Sequence, residues 1–278
     1  MAFGSVRSCG VTTLTLGLAA TWPTGRRVLL VEADPAGGTL AAASGWPAEP
    51  NLVSLAAAAR RGGDPALVWE HCHQLPDGAA VLPAPSLAEQ ARSALTMLGP
   101  LLGRLAELEA DVLVDCGRLD PGSVALDLWD RAERPVLVGR PRLADLQALA
   151  SWLNGNRLNR EVGLVLIGEG PYPDAEITEA IGLDVLSRLP WDPGAAEVLV
   201  SMSASARQLR MAPLVRSART LADQLNPDRA RVAGPDAPAP AQAALGGRAV
   251  GIASRVLRPW RPDTQPHPNG SVPEEAAR

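Results

Sequence analysis

The sequence predicts a doubly wound α/β fold, a mostly parallel sheet flanked by helices. Three observations carry that prediction. Short apolar runs alternate with helix-like segments through the first 226 residues. Two of the runs, 28–33 and 111–115, lead into carboxylates followed by glycine-bearing turns, at Asp34 and Asp115. A third, 1–6, passes through Arg7-Ser8-Cys9-Gly10 into a helix-like run that opens Val11-Thr12-Thr13. Ligands of open parallel sheets bind beyond the carboxyl ends of the strands, so the loop, Asp34 and Asp115 are expected at one edge.

The first unit, strand, loop and helix to about residue 20, has the form of a phosphate cradle. Backbone N–H groups at a helix N-terminus, aided by its dipole, attract an anion. The usual spacing G-x-x-x-x-G-K-[ST] is not met. Gly4 and Gly10 are one residue too far apart, and Val11 stands in place of the lysine. All 26 basic residues are arginine, so no distant lysine of this chain can replace that charge. Ser8, Cys9, Gly10, Val11, Thr12 and Thr13 are the candidate cradle, with the Thr12 hydroxyl retained. A plain strand–turn–helix of small residues is the other reading of this loop.

Pro23 and Gly25 mark a turn before strand 28–33. Residues 34–45 form a loop and a helix start, and 52–61 a helix ended by Gly62-Gly63. Residues 69–73 read as a strand on which His71 and His73 share a face and Cys72 points away. That pattern falls short of the four ligands of a zinc site. Strand 79–82 follows, then a helix within 87–109 expected to break at Gly99-Pro100. Strand 112–115, a short helix to Trp129, strand 135–139 and helix 143–153 come next, the last with Leu146, Leu149, Ala150 and Leu153 on one face. Strand 162–167, a helix near 174–181, strand 185–189, and helices 195–199 and 213–225 complete the alternation.

In their order, these pieces resemble the MinD/ParA family of deviant-Walker P-loop ATPases, closest to actinobacterial MinD-like proteins whose loop reads Gly-Val-Thr-Thr. The matching stretches are Ser5-Val6-Arg7 with Gly10-Val11-Thr12-Thr13, residues 28–38, residues 112–117, Arg140-Pro141-Arg142-Leu143-Ala144-Asp145-Leu146, residues 162–168, and Leu189-Pro190-Trp191-Asp192-Pro193. They span roughly residues 3–225. The resemblance implies ATP and Mg²⁺ as cofactors, with Thr12, Asp34 and Asp115 serving the metal. It implies that Asp34 orients the attacking water and that Pro190 and Asp192 lie near the adenine ring. A signature lysine of the family would fall at Val6; Arg7, the nearest basic residue, is the second catalytic candidate. The family also implies a homodimer, a protein partner and a role in placing or assembling cellular machinery, in division, secretion or pilus formation. Residues 34–45 and 120–129 correspond to its two switches.

Without a cation at the γ-phosphate, hydrolysis is expected to suffer more than binding, because phosphoryl transfer is mostly positioning and charge neutralisation. Two alternatives stay open: a scaffold with no functional nucleotide site, and a DNA-partitioning ATPase. The net charge of −4 speaks against general nucleic-acid affinity. Three widely spaced cysteines give no disulfide framework and suit a reducing cytoplasm. No signal peptide or membrane-spanning run is evident. With 46% hydrophobic residues and only nine aromatics, the core is expected to be aliphatic.

Residues 227–278 are rich in Pro, Ala, Gly and Arg and read as a disordered tail beyond a single domain at 1–226. The tail has seven arginines and five acids, the body nineteen and 25. Within it, 248–261 has four arginines and no acid. On a helical wheel Ala249, Ile252, Ala253, Val256, Leu257 and Trp260 face one way, and Arg248, Arg255, Arg258 and Arg261 the other. Such a segment suits weak contact with an anionic membrane or an acidic partner surface.

Overall fold

The computed structural model describes residues 1–226 except 24, 157, 159 and 202–210. The expected disordered tail and its segment 248–261 therefore lie outside the described residues. Eight strands form one sheet: β1 (Ala2–Ser5), β2 (Arg27–Glu32), β3 (His73–Gln74), β4 (Ala80–Leu82), β5 (Ala110–Arg118), β6 (Pro135–Gly139), β7 (Gly163–Ile167) and β8 (Val185–Leu189). Their spatial order is β3-β4-β2-β5-β1-β6-β7-β8. Every pairing is parallel except β3 with β4. The expected doubly wound sheet is thus present, with an antiparallel strand at one edge.

Helices cover both faces. Leu30, Leu113, Phe3 and Val138 point to the side of α1 (Val11–Thr21), α8 (Pro193–Ser201) and α9 (Pro213–Leu225). Leu29, Val31 and Leu82 meet α3 (Leu52–Ala59) and α4 (Ala88–Leu102) on the opposite face. Beside them, Ala2, Leu137 and Leu164 meet α5 (Val124–Arg131), α6 (Leu143–Gly155) and α7 (Asp174–Ile181). Burial on both faces is why these strands read as nearly unbroken apolar runs. A short α2 (Leu40–Ala43) follows β2.

Three sequence expectations are corrected. Residues 69–73 are not a strand: a 3₁₀ helix runs over Pro65–His71, and only His73 enters β3. Its start is set by Asp64, whose side chain accepts from the Ala66 N–H, and by Pro65 in its first turn. His71 Nδ1 lies 2.8 Å from the Ser54 hydroxyl, while His73 stacks on Trp46 at 4.8 Å, so the two rings serve packing. Helix α4 does not break at Gly99-Pro100 but runs through to Leu102. Proline removes one N–H near the helix end, and Leu98, Leu101 and Leu102 bury that last turn. On α6 the buried face is Leu146, Leu149 and Trp152, with Ala150 and Leu153 only partly covered. Trp152 is accepted into the core because its indole N–H donates to the Leu119 carbonyl at 3.1 Å.

Candidate functional site

The candidate site lies at the carboxyl edge of the central strands. Register fixes its floor: Asp115 on β5 pairs laterally with Phe3 of β1 and Glu32 of β2. The loop from β1 to α1 rises beside it. Gly10 takes the left-handed conformation, φ 99°, and precedes the first helical residue, Val11. No side chain caps α1, so its first-turn N–H groups have no side-chain acceptor. Cys9 fastens the loop to the sheet, its buried thiol donating to the Val138 carbonyl at 3.2 Å. Burial pushes that thiol up to about 12, so it is inert as a nucleophile.

Val11 is only 4% exposed and belongs to the apolar cluster that joins α1, β6, β7 and α8. The position occupied by lysine in the usual motif is here part of the core. Thr12 and Thr13 are half-buried, and Arg7 and Ser8 are exposed on the loop.

The carboxylates divide into three environments. Asp115 is fully buried. Its Oδ1 accepts from the Gly117 N–H at 2.9 Å, and its Oδ2 has no hydrogen bond among the described residues. Burial pushes its pKa up to about 7; the Thr12 side chain and the Gly117 N–H pull the other way, and the charges of Glu32 and Asp34 add to the rise. Asp34 sits at the end of β2, half-buried, with Oδ1 accepting from the Ala36 N–H at 2.7 Å. Burial raises its pKa too, while the Ala36 N–H and Arg118 favour its ionised form. Glu32 is 1% exposed and saturated: Oε1 accepts from Thr39 and Leu40 at 2.7 and 3.1 Å, and Oε2 from Ala84 at 3.0 Å.

Sequence reading did not single out Glu32 as a site residue. Its signal was an acid inside an apolar strand, which must find buried donors. It ties the loop after β2 to the end of β4. Among the described residues no cluster of three or more His, Cys, Asp or Glu can hold a metal ion unaided.

Pro190 and Asp192 lie on the other flank, beyond β8. Asp192 Oδ1 accepts from the Ala195 N–H at 3.0 Å and so caps α8. Trp191 between them is 55% exposed, and the Arg140 guanidinium stacks over its ring at 4.0 Å. Arg140 Nε is buried without a hydrogen bond among the described residues. Its charge is near enough to the loop to favour the Cys9 thiolate. Arg140 and Arg118 are the two cations beside the site that sequence reading did not assign. Arg118 ends β5 and Arg140 directly follows β6, each after a glycine; the approach of Arg118 to Asp34 and of Arg140 to the loop joins residues far apart in sequence.

No protein-family model matches the sequence. No curated protein matches it. Solved structures do. A ParA family ATPase from Chlorobium tepidum superposes with a TM-score of 0.67 at 19% identity, covering 81% of this chain and 99% of that one. The septum site-determining protein MinD from Pyrococcus horikoshii, complexed with Mg-ADP, gives 0.66 at 18%, covering 84% and 98%. A chain of the MinC:MinD cell division protein complex of Aquifex aeolicus gives 0.61 at 13%, covering 81% and 93%. The fold of the described residues is that of the MinD and ParA ATPases.

Proposed function

We propose that this chain is a MinD/ParA-like nucleotide-binding protein with a degenerate P-loop, acting as a spatial or assembly regulator. One observation supports the nucleotide reading most: a buried carboxylate with an orphaned oxygen, Asp115 Oδ2, lies under an uncapped helix start beside Thr12. A buried carboxylate oxygen left without a donor is costly, and hydrated Mg²⁺ is a natural partner for it. The residues fit Mg²⁺ with ATP or ADP in that respect. They do not supply the cation that usually faces the γ-phosphate, since Val11 is in the core.

In this reading the loop residues Ser8, Cys9, Gly10, Val11, Thr12 and Thr13 offer backbone donors to phosphate. Thr12, Asp34 and Asp115 would hold the metal, directly or through water, which would supply charge neutralisation. Asp34 orients water, Arg7 is the candidate loop cation, and Pro190 and Asp192 shape the base end. Binding is expected to outlast hydrolysis. A homodimer and a protein partner belong to the same proposal, as do a cytoplasmic location and weak membrane-surface contact through 248–261. Among the described residues no helix is long and apolar enough to cross a membrane.

A scaffold without nucleotide is the second reading, favoured by the burial of Val11. A melting experiment separates them, because a ligand selective for the native state must raise its melting temperature. With Mg-ATP or Mg-ADP, a concentration-dependent rise supports the first reading; no shift at millimolar nucleotide supports the second.

A further inference from the structure

A groove of about 850 Å³ lies between α4 and α5, over the central strand β5. Val112 and Val114 form its floor and are partly exposed, although β5 is flanked by strands on both sides. Val124 and Leu128 of α5 and Leu102 of α4 line its walls. Gly99 of α4 also lines it, and a Cβ built on Gly99 meets nothing within 4 Å. The central strand of a doubly wound sheet is normally covered, so this slot, apolar at Val112, Val114 and Leu128 but lined also by Asp111, Asp127, Arg131 and Glu133, lacks an occupant within the described residues.

The groove reaches the amino-terminal edge of the sheet, where Arg26, Ala110 and Arg134 line it. The described chain leaves the fold at that same edge. Arg134 donates to the carbonyl of Leu225, the last residue of α9, at 3.2 Å. The 52 residues beyond Asn226 thus start beside the groove. Residues 227–247 would reach ~25 Å even as a random coil, enough to turn the edge of the sheet. Beyond them, 248–261 carries the apolar wheel face ending in Leu257 and Trp260. The tail is net positive where the body is net negative, which favours their association.

We propose that segment 248–261 of the same chain docks in this groove, its apolar face on Val112, Val114 and Leu128 and its arginines outward. Docking holds the tail's apolar face against the body and away from any other surface. The proposal rests on the groove and the tail and needs no bound nucleotide, although the groove shares α5 with the stretch matched to a switch; while docked, 248–261 is withheld from the membrane contact proposed above.

Two full-chain variants test it from either side. Gly99→Trp fills the groove and leaves the tail sequence intact; Leu257→Asp spoils the tail and leaves the body intact. Trypsin should cut after Arg255 at least tenfold faster in Gly99→Trp than in the native chain, with cleavage after Arg229 as the unaffected reference. Hydrogen exchange over 124–131 should be several-fold faster in Leu257→Asp than in the native chain. Both protections should be independent of protein concentration. Equal cleavage after Arg255 in the native chain and Gly99→Trp, or unchanged exchange over 124–131 in Leu257→Asp, overturns the proposal. Protection that grows with concentration overturns it as well, since the occupant is then a second copy.

Discussion

The carboxylate of Asp34 occupies the place where a side chain at residue 117 would begin: a Cβ built on Gly117 would lie 2.1 Å from Asp34 Oδ2. Two strand ends, β2 and β5, are therefore brought together by the absence of one carbon. Gly117 also takes a positive φ of 55°, which disfavours other residues.

Gly117→Ala is expected to destabilise the fold by more than the ~1–2 kcal/mol of a left-handed backbone alone, because Asp34 must also move. Gly122→Ala is the control. Gly122 has φ 74° with open space around a built Cβ, so it should show the backbone cost only. Urea unfolding of both variants checks this; equal losses would mean that the Asp34 contact is soft.

Asp115 makes stability depend on pH with an unusual sign. Its folded value near 7 lies above the ordinary 3.8, so between those limits the folded state binds more protons than the unfolded one. Stability from this group is full below about pH 4 and lost as pH rises through 7, by a few kcal/mol. Asp115→Asn should flatten that slope in metal-free, nucleotide-free protein. At neutral pH, Asp115→Ala should cost less than Leu113→Ala, a truncation of a fully buried leucine worth ~2–5 kcal/mol. Denaturation at pH 5 and pH 7.5 measures both.

Glu32→Ala would strand the N–H groups of Thr39, Leu40 and Ala84. With ~1–3 kcal/mol for each buried unsatisfied donor, the loss should exceed ~3 kcal/mol unless water enters. Glu32→Gln keeps an acceptor and should lose less. Chemical unfolding ranks the two, and equal stability of Glu32→Ala and the native chain would refute the tie between β2 and β4.

These carboxylates show where sequence reading stops. The strands were legible because each is an apolar run of a few residues closed by a turn signal, and the loop, Asp34 and Asp115 converge as a parallel sheet requires. Residues 69–73 were not, since alternation over five residues cannot be told from a 3₁₀ turn capped by Asp64. Gly99-Pro100 looked like a helix stop because the apolar burial that sustains the turn is tertiary. Val11 announced a missing charge, but not that its side chain joins the core. Arg140 and Trp191 are far apart in sequence, and only the sheet order brings β6 and β8 ends to one flank.

The Arg140–Trp191 stack yields a prediction about the loop. A partly exposed cation–ring pair contributes ~0.5–1 kcal/mol, too little to explain a buried Nε without an acceptor. If Arg140 supplies positive potential to the loop, Arg140→Ala should weaken Mg-ATP binding at least fivefold and Arg140→Lys less. The same change should alter Trp191 emission, read as the difference from Trp191→Phe. Equal affinities for the native chain and Arg140→Ala would leave the stack a packing feature.

The central claim, a nucleotide site kept in form but missing its principal cation, is tested most directly by calorimetric titration of Mg-ATP into the native chain and Val11→Lys. Weak binding by the native chain with no steady hydrolysis is expected, and tighter binding by Val11→Lys as the ammonium leaves the core for the phosphates. No binding by either protein, or steady hydrolysis by the native chain that Asp34→Ala abolishes, would contradict it.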